Sequence, residues 1–197
     1  MSVEILTSDA AESGFLVVMI LFILSEFIGV AVIPMLKRHG RPVQRKNRGS
    51  NALVLFSWIV ALIVAQMFAK SDLAILPSWA YYMGIALMLA GIAIRQWSIA
   101  VLGRFFSGVI GVQEGQKVVE SGPYRLVRHP SYTGALLIMV GIGLAFQSWG
   151  AALVIIPIFA VCYGYRMFVE ERVLVANLGN SYAEYMKRTK RVIPFLL

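Results

Sequence analysis

Apolar residues run through this chain in long blocks, and polar residues collect between them. Five blocks, residues 14–36, 52–69, 78–102, 131–148 and 149–168, carry almost no charge. Crossing a hydrocarbon core of about 30 Å takes about 20 residues of helix, with a working range of about 17 to 25. Backbone exposed to lipid must satisfy its own hydrogen bonds, so each block predicts a membrane-spanning helix. The turn Gln147-Ser148-Trp149-Gly150 leaves the last two blocks no arrangement but an antiparallel hairpin. Beyond them Leu174, Leu178, Tyr182, Tyr185 and Met186 recur at helical spacing. This predicts an amphipathic helix from Glu171 to Lys190, broken at Gly179, against the membrane face. The expected fold is therefore all-α and polytopic, with five transmembrane helices, a tight C-terminal hairpin and a cytoplasmic amphipathic C-terminal helix. Residues 1–197 read as one integral membrane domain, with an N-terminal helical pair over 1–77 and a core over 78–197.

Composition agrees. Hydrophobic residues make up 59% of the 197 and charged residues only 14%, where soluble domains carry about a quarter. An ordinary water-soluble enzyme is excluded, and the surplus apolar surface is expected to face lipid. The net charge of +8 would suggest nucleic acid in a soluble protein, but here the basic residues sit between spans. Anionic lipid headgroups and topology account for them, and no nucleic-acid partner is expected. Lys37, Arg38, Arg41, Arg45, Lys46 and Arg48 follow the first block, with Gly40 and Pro42 blocking helix continuation. Arg104, Lys117, Arg125 and Arg128 follow the third, and Arg172, Lys187, Arg188, Lys190 and Arg191 the fifth. The second linker holds only Lys70 and Asp72 before Pro77. All basic clusters thus fall on one side, which predicts the N-terminus outside and the C-terminus in the cytoplasm. The first block is too long, and its flank too acidic with Glu4, Asp9 and Glu12, for a cleaved signal peptide. Cys162 lies inside an apolar block, so neither a disulfide framework nor a cysteine metal cluster is expected. His39 and His129 alone do not make a transition-metal site.

Two polar concentrations stand out, residues 113–132 and 163–171. In the first, Gly122-Pro123-Tyr124-Arg125-Leu126-Val127-Arg128-His129-Pro130-Ser131-Tyr132 reads as a turn, a link and a helix start, with Pro130 suited to the first helical turn. Free amides there would suit an anion. Equally, Arg125 and Arg128 could merely anchor lipid phosphates. In the second, Arg166 and Glu170 share a helix face at i, i+4, either as a solvated pair or as functional groups. The hairpin brings that end beside His129. Within the blocks, Arg95 reads as a snorkelling side chain. Glu26 is too short to snorkel and is expected to be neutral or paired with a base on another helix. The chain contains no G-x-G-x-x-G, P-loop, H-E-x-x-H or G-x-S-x-G pattern.

The run from Gly122 to Tyr132, followed by Arg166, Glu170-Glu171, Leu174, Gly179, Tyr182 and Tyr185, resembles the isoprenylcysteine carboxyl methyltransferase family over roughly residues 91–194. The resemblance implies a membrane enzyme that uses S-adenosylmethionine, with the methyltransferase core in 78–197. It carries the family's cofactor residues onto His129, Pro130, Ser131 and Tyr132, onto Tyr124, and onto Gln116, Lys117, Val118 and Val119 just before the turn. Glu170 would hold the cofactor. Arg166 would bind and orient the methyl acceptor, so Arg166 and His129 are the expected catalytic pair, with no metal. A further contact somewhere in Val109–Gly115 cannot be assigned by position. The implied acceptor is a lipophilic molecule with a carboxylate, such as a prenylated cysteine, met at the cytoplasmic face. A carboxylate is already a nucleophile, so methyl transfer to it needs no base and rests on positioning and desolvation. A thiol or amine acceptor would use His129 or Tyr132 as base. A phospholipid N-methyltransferase, a small-thiol methyltransferase and a non-catalytic membrane sensor remain alternatives, and the oligomeric state is open.

Overall fold

The structure, a computed structural model, describes residues 9–32, 42–45, 49–70 and 75–194. The end of the first apolar block lies outside the described residues, as do Lys37, Arg38, His39, Gly40, Arg41, Lys46, Arg48 and Asp72. Helix α1 spans Asp9–Glu26 and runs into a π-type turn, Phe27–Val32. Helix α2 spans Ser50–Lys70, α3 Trp79–Leu102, α4 Pro130–Ala145, α5 Trp149–Leu178 and α6 Asn180–Arg188. One short antiparallel pairing, β1 Pro42–Arg45 with β2 Gly111–Gln113, was not foreshadowed by the apolar pattern.

Among the described residues, four stretches are long and apolar enough to cross a membrane: Asp9–Gly29, Ser50–Phe68, Trp79–Phe105 and Trp149–Leu178. The fourth apolar block forms a helix of only 16 residues, which stops at Ala145 rather than Ser148. There Gln147 takes a left-handed φ of 54°, and the Ser148 hydroxyl caps α5 by accepting from the Ala151 amide at 3.1 Å. The C-terminal region also differs from expectation. Nothing between Phe168 and Leu178 breaks a helix, so α5 continues for 30 residues and absorbs the first half of the expected amphipathic helix. Gly179, at φ +59°, ends it as anticipated, and only α6 is a separate amphipathic element. At about 1.5 Å per residue, α5 is about 45 Å long and outreaches the hydrocarbon core. Its last turns can therefore carry charge at the membrane surface.

Helices α3 and α4 pack antiparallel with backbones nearly touching. A Cβ on Gly91 would lie 2.6 Å from the Gly134 carbonyl, and one on Gly141 would lie 2.7 Å from that of Gly84. Lipid offers helices no hydrophobic reason to associate, so close approach over small residues supplies the attraction instead. Met88, Ile138, Met139, Ile142 and Ile155 fill the centre, and α5 packs on α2 and α4. Leu16, Ile20, Leu55, Ile59 and Val161 point outward, as a lipid-facing surface requires.

Arg95 does not snorkel. Its guanidinium pairs with Glu26, Nε to Oε1 and Nη2 to Oε2 at 2.7 Å, and Nη1 donates to the Ser131 carbonyl at 3.2 Å. A carboxylate within reach on the neighbouring helix satisfies both charges where water cannot. Replacing Gly134 by Val, which drives a side chain into α3, is expected to cost about 1–3 kcal/mol. Gly164, in α5, has open space at its Cβ position, so Gly164→Ala should be neutral or stabilising by up to about 1 kcal/mol. Thermal unfolding of the detergent-solubilised variants checks both.

Candidate active site

Glu171 organises the polar end of the bundle. It is 4% exposed, and its carboxylate accepts from Arg128 Nε at 2.9 Å and Arg191 Nη2 at 2.8 Å, with His129 Nε2 at 3.3 Å. Arg128 also donates to the carbonyls of Met186, at 3.0 Å, and Thr189. The backbone repeats the clamp: the amides of Arg128 and His129 donate to the carbonyls of Lys190 at 2.7 Å and Arg191 at 2.9 Å. Thr133 Oγ1 donates to the Val192 carbonyl at 2.7 Å, and the Tyr185 hydroxyl to that of Tyr124 at 2.7 Å. Burial pushes the Tyr185 phenol up to about 12, so it remains a donor across the physiological range. The link between Tyr124 and Thr133 is thus held by α6 and the chain that follows it. Arg128 is turned inward rather than out to lipid phosphates, because Glu171 waits there; Arg125 stays exposed.

Pro130 opens α4, fully buried. The amides of Tyr132 and Thr133 close on the His129 carbonyl, at 2.9 and 3.1 Å. These two donors are therefore not offered to an anion, contrary to the expectation for this helix start. The His129 ring is buried, stacks on Tyr132 at 5.3 Å between centroids, and has Nδ1 3.9 Å from Glu170.

The expected Arg166–Glu170 pair is bridged rather than direct. Arg166 Nε donates to the Tyr132 hydroxyl at 2.7 Å, which donates to Glu170 Oε2 at 2.7 Å. Arg166 is itself 6% exposed. Its other donors reach Asn51 Oδ1, Ser50 Oγ at 3.4 Å and the Gly108 carbonyl at 2.9 Å. A buried guanidinium is tolerable only when its donors are matched in this way.

These groups surround a cavity of about 250 Å³. Gln116, Lys117, Val118, Val119, Tyr124, His129, Ser131, Tyr132, Arg166 and Glu170 all line it, and of the expected residues only Pro130 does not. Gln116 is partly committed, since its Oε1 accepts from the Gln113 amide at 2.9 Å. The ambiguous loop now has a place: Ile110 and Val112 are buried against Val169 and Val173, and Phe106 to Gly111 form a wall of the cavity. Tyr124, Tyr182 and Tyr185 add an aromatic wall. Burial and the nearby Glu170 carboxylate raise the Tyr124 phenol. Asn51, Tyr163 and Arg95 also line the cavity and were not among the expected site residues. Neither was Glu171, whose signal was an acid paired in sequence with Glu170 yet facing an excess of arginines. Among the described residues no group of His, Cys, Asp and Glu could hold a metal ion.

Glu171→Gln removes the charge that Arg128 and Arg191 share, which should lower stability by about 3 kcal/mol. Limited trypsin digestion should then cut after Arg188 and Arg191 faster than in wild type.

The model of the phospholipid methyltransferase family matches residues 79–181, more than half of the chain, and the chain belongs to that family. Protein-S-isoprenylcysteine O-methyltransferase A of Arabidopsis thaliana is 26% identical over 197 residues, which cover 96% of each chain. The B protein of the same plant is 25% identical over 154 residues, 75% of this chain and 78% of its own. A solved structure of the eukaryotic intramembrane Ras methyltransferase ICMT shares the fold, with a TM-score of 0.69 at 22% identity over 94% of this chain and 67% of that one. The relationship expected from the two motif clusters is borne out, and the protein is a multi-pass integral membrane methyltransferase.

Proposed function

We propose that this enzyme moves a methyl group from S-adenosylmethionine to the carboxylate of a lipophilic acceptor, of the prenylated cysteine type, at the cytoplasmic face. The observation that carries the reading is the Arg166–Tyr132–Glu170 relay on one wall of the cavity. It sets a cation for an acidic acceptor beside a carboxylate for a polar donor. The names of the plant relatives point to the same acceptor chemistry. The N-terminus then lies outside and the C-terminus inside, with residues 78–197 as the methyltransferase core and the helices of 1–77 covering its membrane side.

The lining fits such a donor. Glu170 keeps 30% of its side chain exposed, and among the described residues its Oε2 accepts from the Tyr132 hydroxyl, with His129 Nδ1 3.9 Å away. That leaves acceptor capacity for ribose hydroxyls or an ammonium group. Val118, Val119, Leu174 and Leu178 offer apolar surface for a flat base, and Gln116, Lys117, Tyr124, His129 and Ser131 complete the donor wall. Pro130 acts by fixing where α4 begins. Bound there, S-adenosylmethionine supplies a sulfonium methyl group open to in-line displacement by an anionic nucleophile.

Within this chain, Arg166 orients the acceptor carboxylate. Its remaining hydrogen bonds to Asn51 and Gly108 hold the guanidinium in place, and sharing its charge with Tyr132 keeps the ion pair from quenching the nucleophile. The aromatic walls exclude water, which would otherwise solvate the carboxylate. The His129 ring sits beside Glu170, with Nδ1 3.9 Å from Oε2. Its Nε2 faces Glu171, so a thiol or amine acceptor, which needs a free base, suits the site less well than a carboxylate.

Calorimetry on the solubilised protein should find saturable S-adenosylmethionine binding that Glu170→Ala weakens at least about tenfold. With labelled donor and a prenylated cysteine, wild type should form a base-labile methyl ester. Tyr132→Phe, which breaks the relay, should lose most of that activity while staying folded. A base-stable label would refute the carboxylate reading.

A further inference from the structure

A lipophilic acceptor must reach the cavity from the bilayer, and the structure closes most routes. The α3–α4 side is sealed by glycine-to-glycine contact, where Gly91 meets Gly134. The α2–α5 side is bridged by Arg166 with Ser50 and Asn51. Below the cavity, Tyr163 is 2% exposed, stacks on Phe159 at 4.3 Å and accepts from Trp58 Nε1 at 2.9 Å. Helix α1 supplies none of the described lining residues and meets the cavity through Arg95, which Glu26 pairs. It leans on α3 and meets α2 through the Phe22 and Trp58 rings, 4.9 Å apart. Polar contacts add to this packing: the two-point pair between Glu26 and Arg95, and Gln96 Nε2 donating to the Ser25 carbonyl at 3.1 Å. Directly after Glu26 the helix changes to a π-type turn, a form that concentrates at functional sites.

Arg95 faces two ways. It lines the cavity, yet two of its nitrogens are spent on a carboxylate that comes from the membrane side. Fork-to-fork pairing of a guanidinium with a carboxylate is the geometry that would recognise an acidic headgroup. Both carboxylates cannot hold the same fork.

We propose that Arg95 is a specificity residue for the acceptor's anionic headgroup, and that Glu26 occupies its carboxylate seat until the acceptor displaces it. This rests on the carboxylate reading above. In an apolar wall an isolated carboxylate is rejected. A seat already built for one lowers that barrier, and Arg166, bonded to the Tyr132 hydroxyl, lines the same cavity. An acceptor without charge gains nothing from Arg95, so the pair favours acids over neutral lipids of the same shape.

The test compares Glu26→Gln and Arg95→Gln with wild type in a steady-state assay of methyl transfer to a farnesylated cysteine, with S-adenosylmethionine binding and thermal stability measured alongside. Exchange of carboxylates predicts opposite signs. Glu26→Gln, which removes the competing anion, should lower KM for the acceptor by about fivefold. Arg95→Gln should raise it at least about tenfold. Donor affinity should stay near wild type in both. A purely structural ion pair predicts the same direction from both variants, with higher KM and lower stability in each, and that result would overturn the proposal. Failure to fold in Arg95→Gln leaves Glu26→Gln to decide by the sign of its KM change alone. If wild type methylates no carboxylate acceptor, the functional reading fails and this inference with it. If wild type does and Glu26→Gln leaves KM unchanged, this inference alone fails.

Discussion

A carboxylate buried at a membrane surface has to find cations, and the way Glu171 finds them shapes the rest of the site. Removing that charge from water costs several kcal/mol unless it is paired and hydrogen-bonded. Arg128 and Arg191 converge on it, and His129 Nε2 lies within hydrogen-bond reach. To reach it, the link before α4 and the chain after α6 must lie side by side, and their backbones bond accordingly. Glu170, one residue earlier on the helix, is rotated about 100° away and faces the cavity instead. Two adjacent acids on one helix are thereby divided between holding the site together and lining it.

The apolar part of the molecule sets where this happens. Glycine contacts fix α3 against α4, and so fix the height of Arg95 relative to Ser131. The length of α5 carries Arg166, Glu170 and Glu171 to the end of the bundle. Arg166 is matched by groups from α2, α4 and the loop after α3, so its position reports on all three at once. The cavity is in this sense a product of helix packing, and its polar groups are placed by backbones that never touch it.

Much of this was legible in the sequence, for physical reasons. Long apolar blocks announce membrane helices because lipid forces backbone bonds to be internal. Pro130 and Gly179 marked element boundaries because their backbone conformations are restricted in one case and permissive in the other. The short turn after α4 forced Glu170 next to His129. Long-range pairing was not legible. Which base met Glu26, and that Arg128 turned inward, depended on helix rotations that periodicity alone does not fix. The α5 boundary was misplaced because apolar length predicts where a span ends, whereas the helix itself continues until a residue breaks it. The strand pair around Gly111 had no signal, since three residues are too few for an alternating pattern. The Gly84, Gly91, Gly134 and Gly141 spacing of seven was present in the sequence and points to close helix contact in hindsight.

The cavity proposed to take the methyl donor is held together by α6 and the chain after it. Hydrogen–deuterium exchange of the protein in lipid nanodiscs, with and without S-adenosylmethionine, tests this most directly. Donor binding should slow exchange together in residues 116–119, 122–132 and 189–192, because the last segment holds the second in place, and should leave α1 unchanged. Protection confined to other helices, or protection of 116–119 with no response at 189–192, would contradict it.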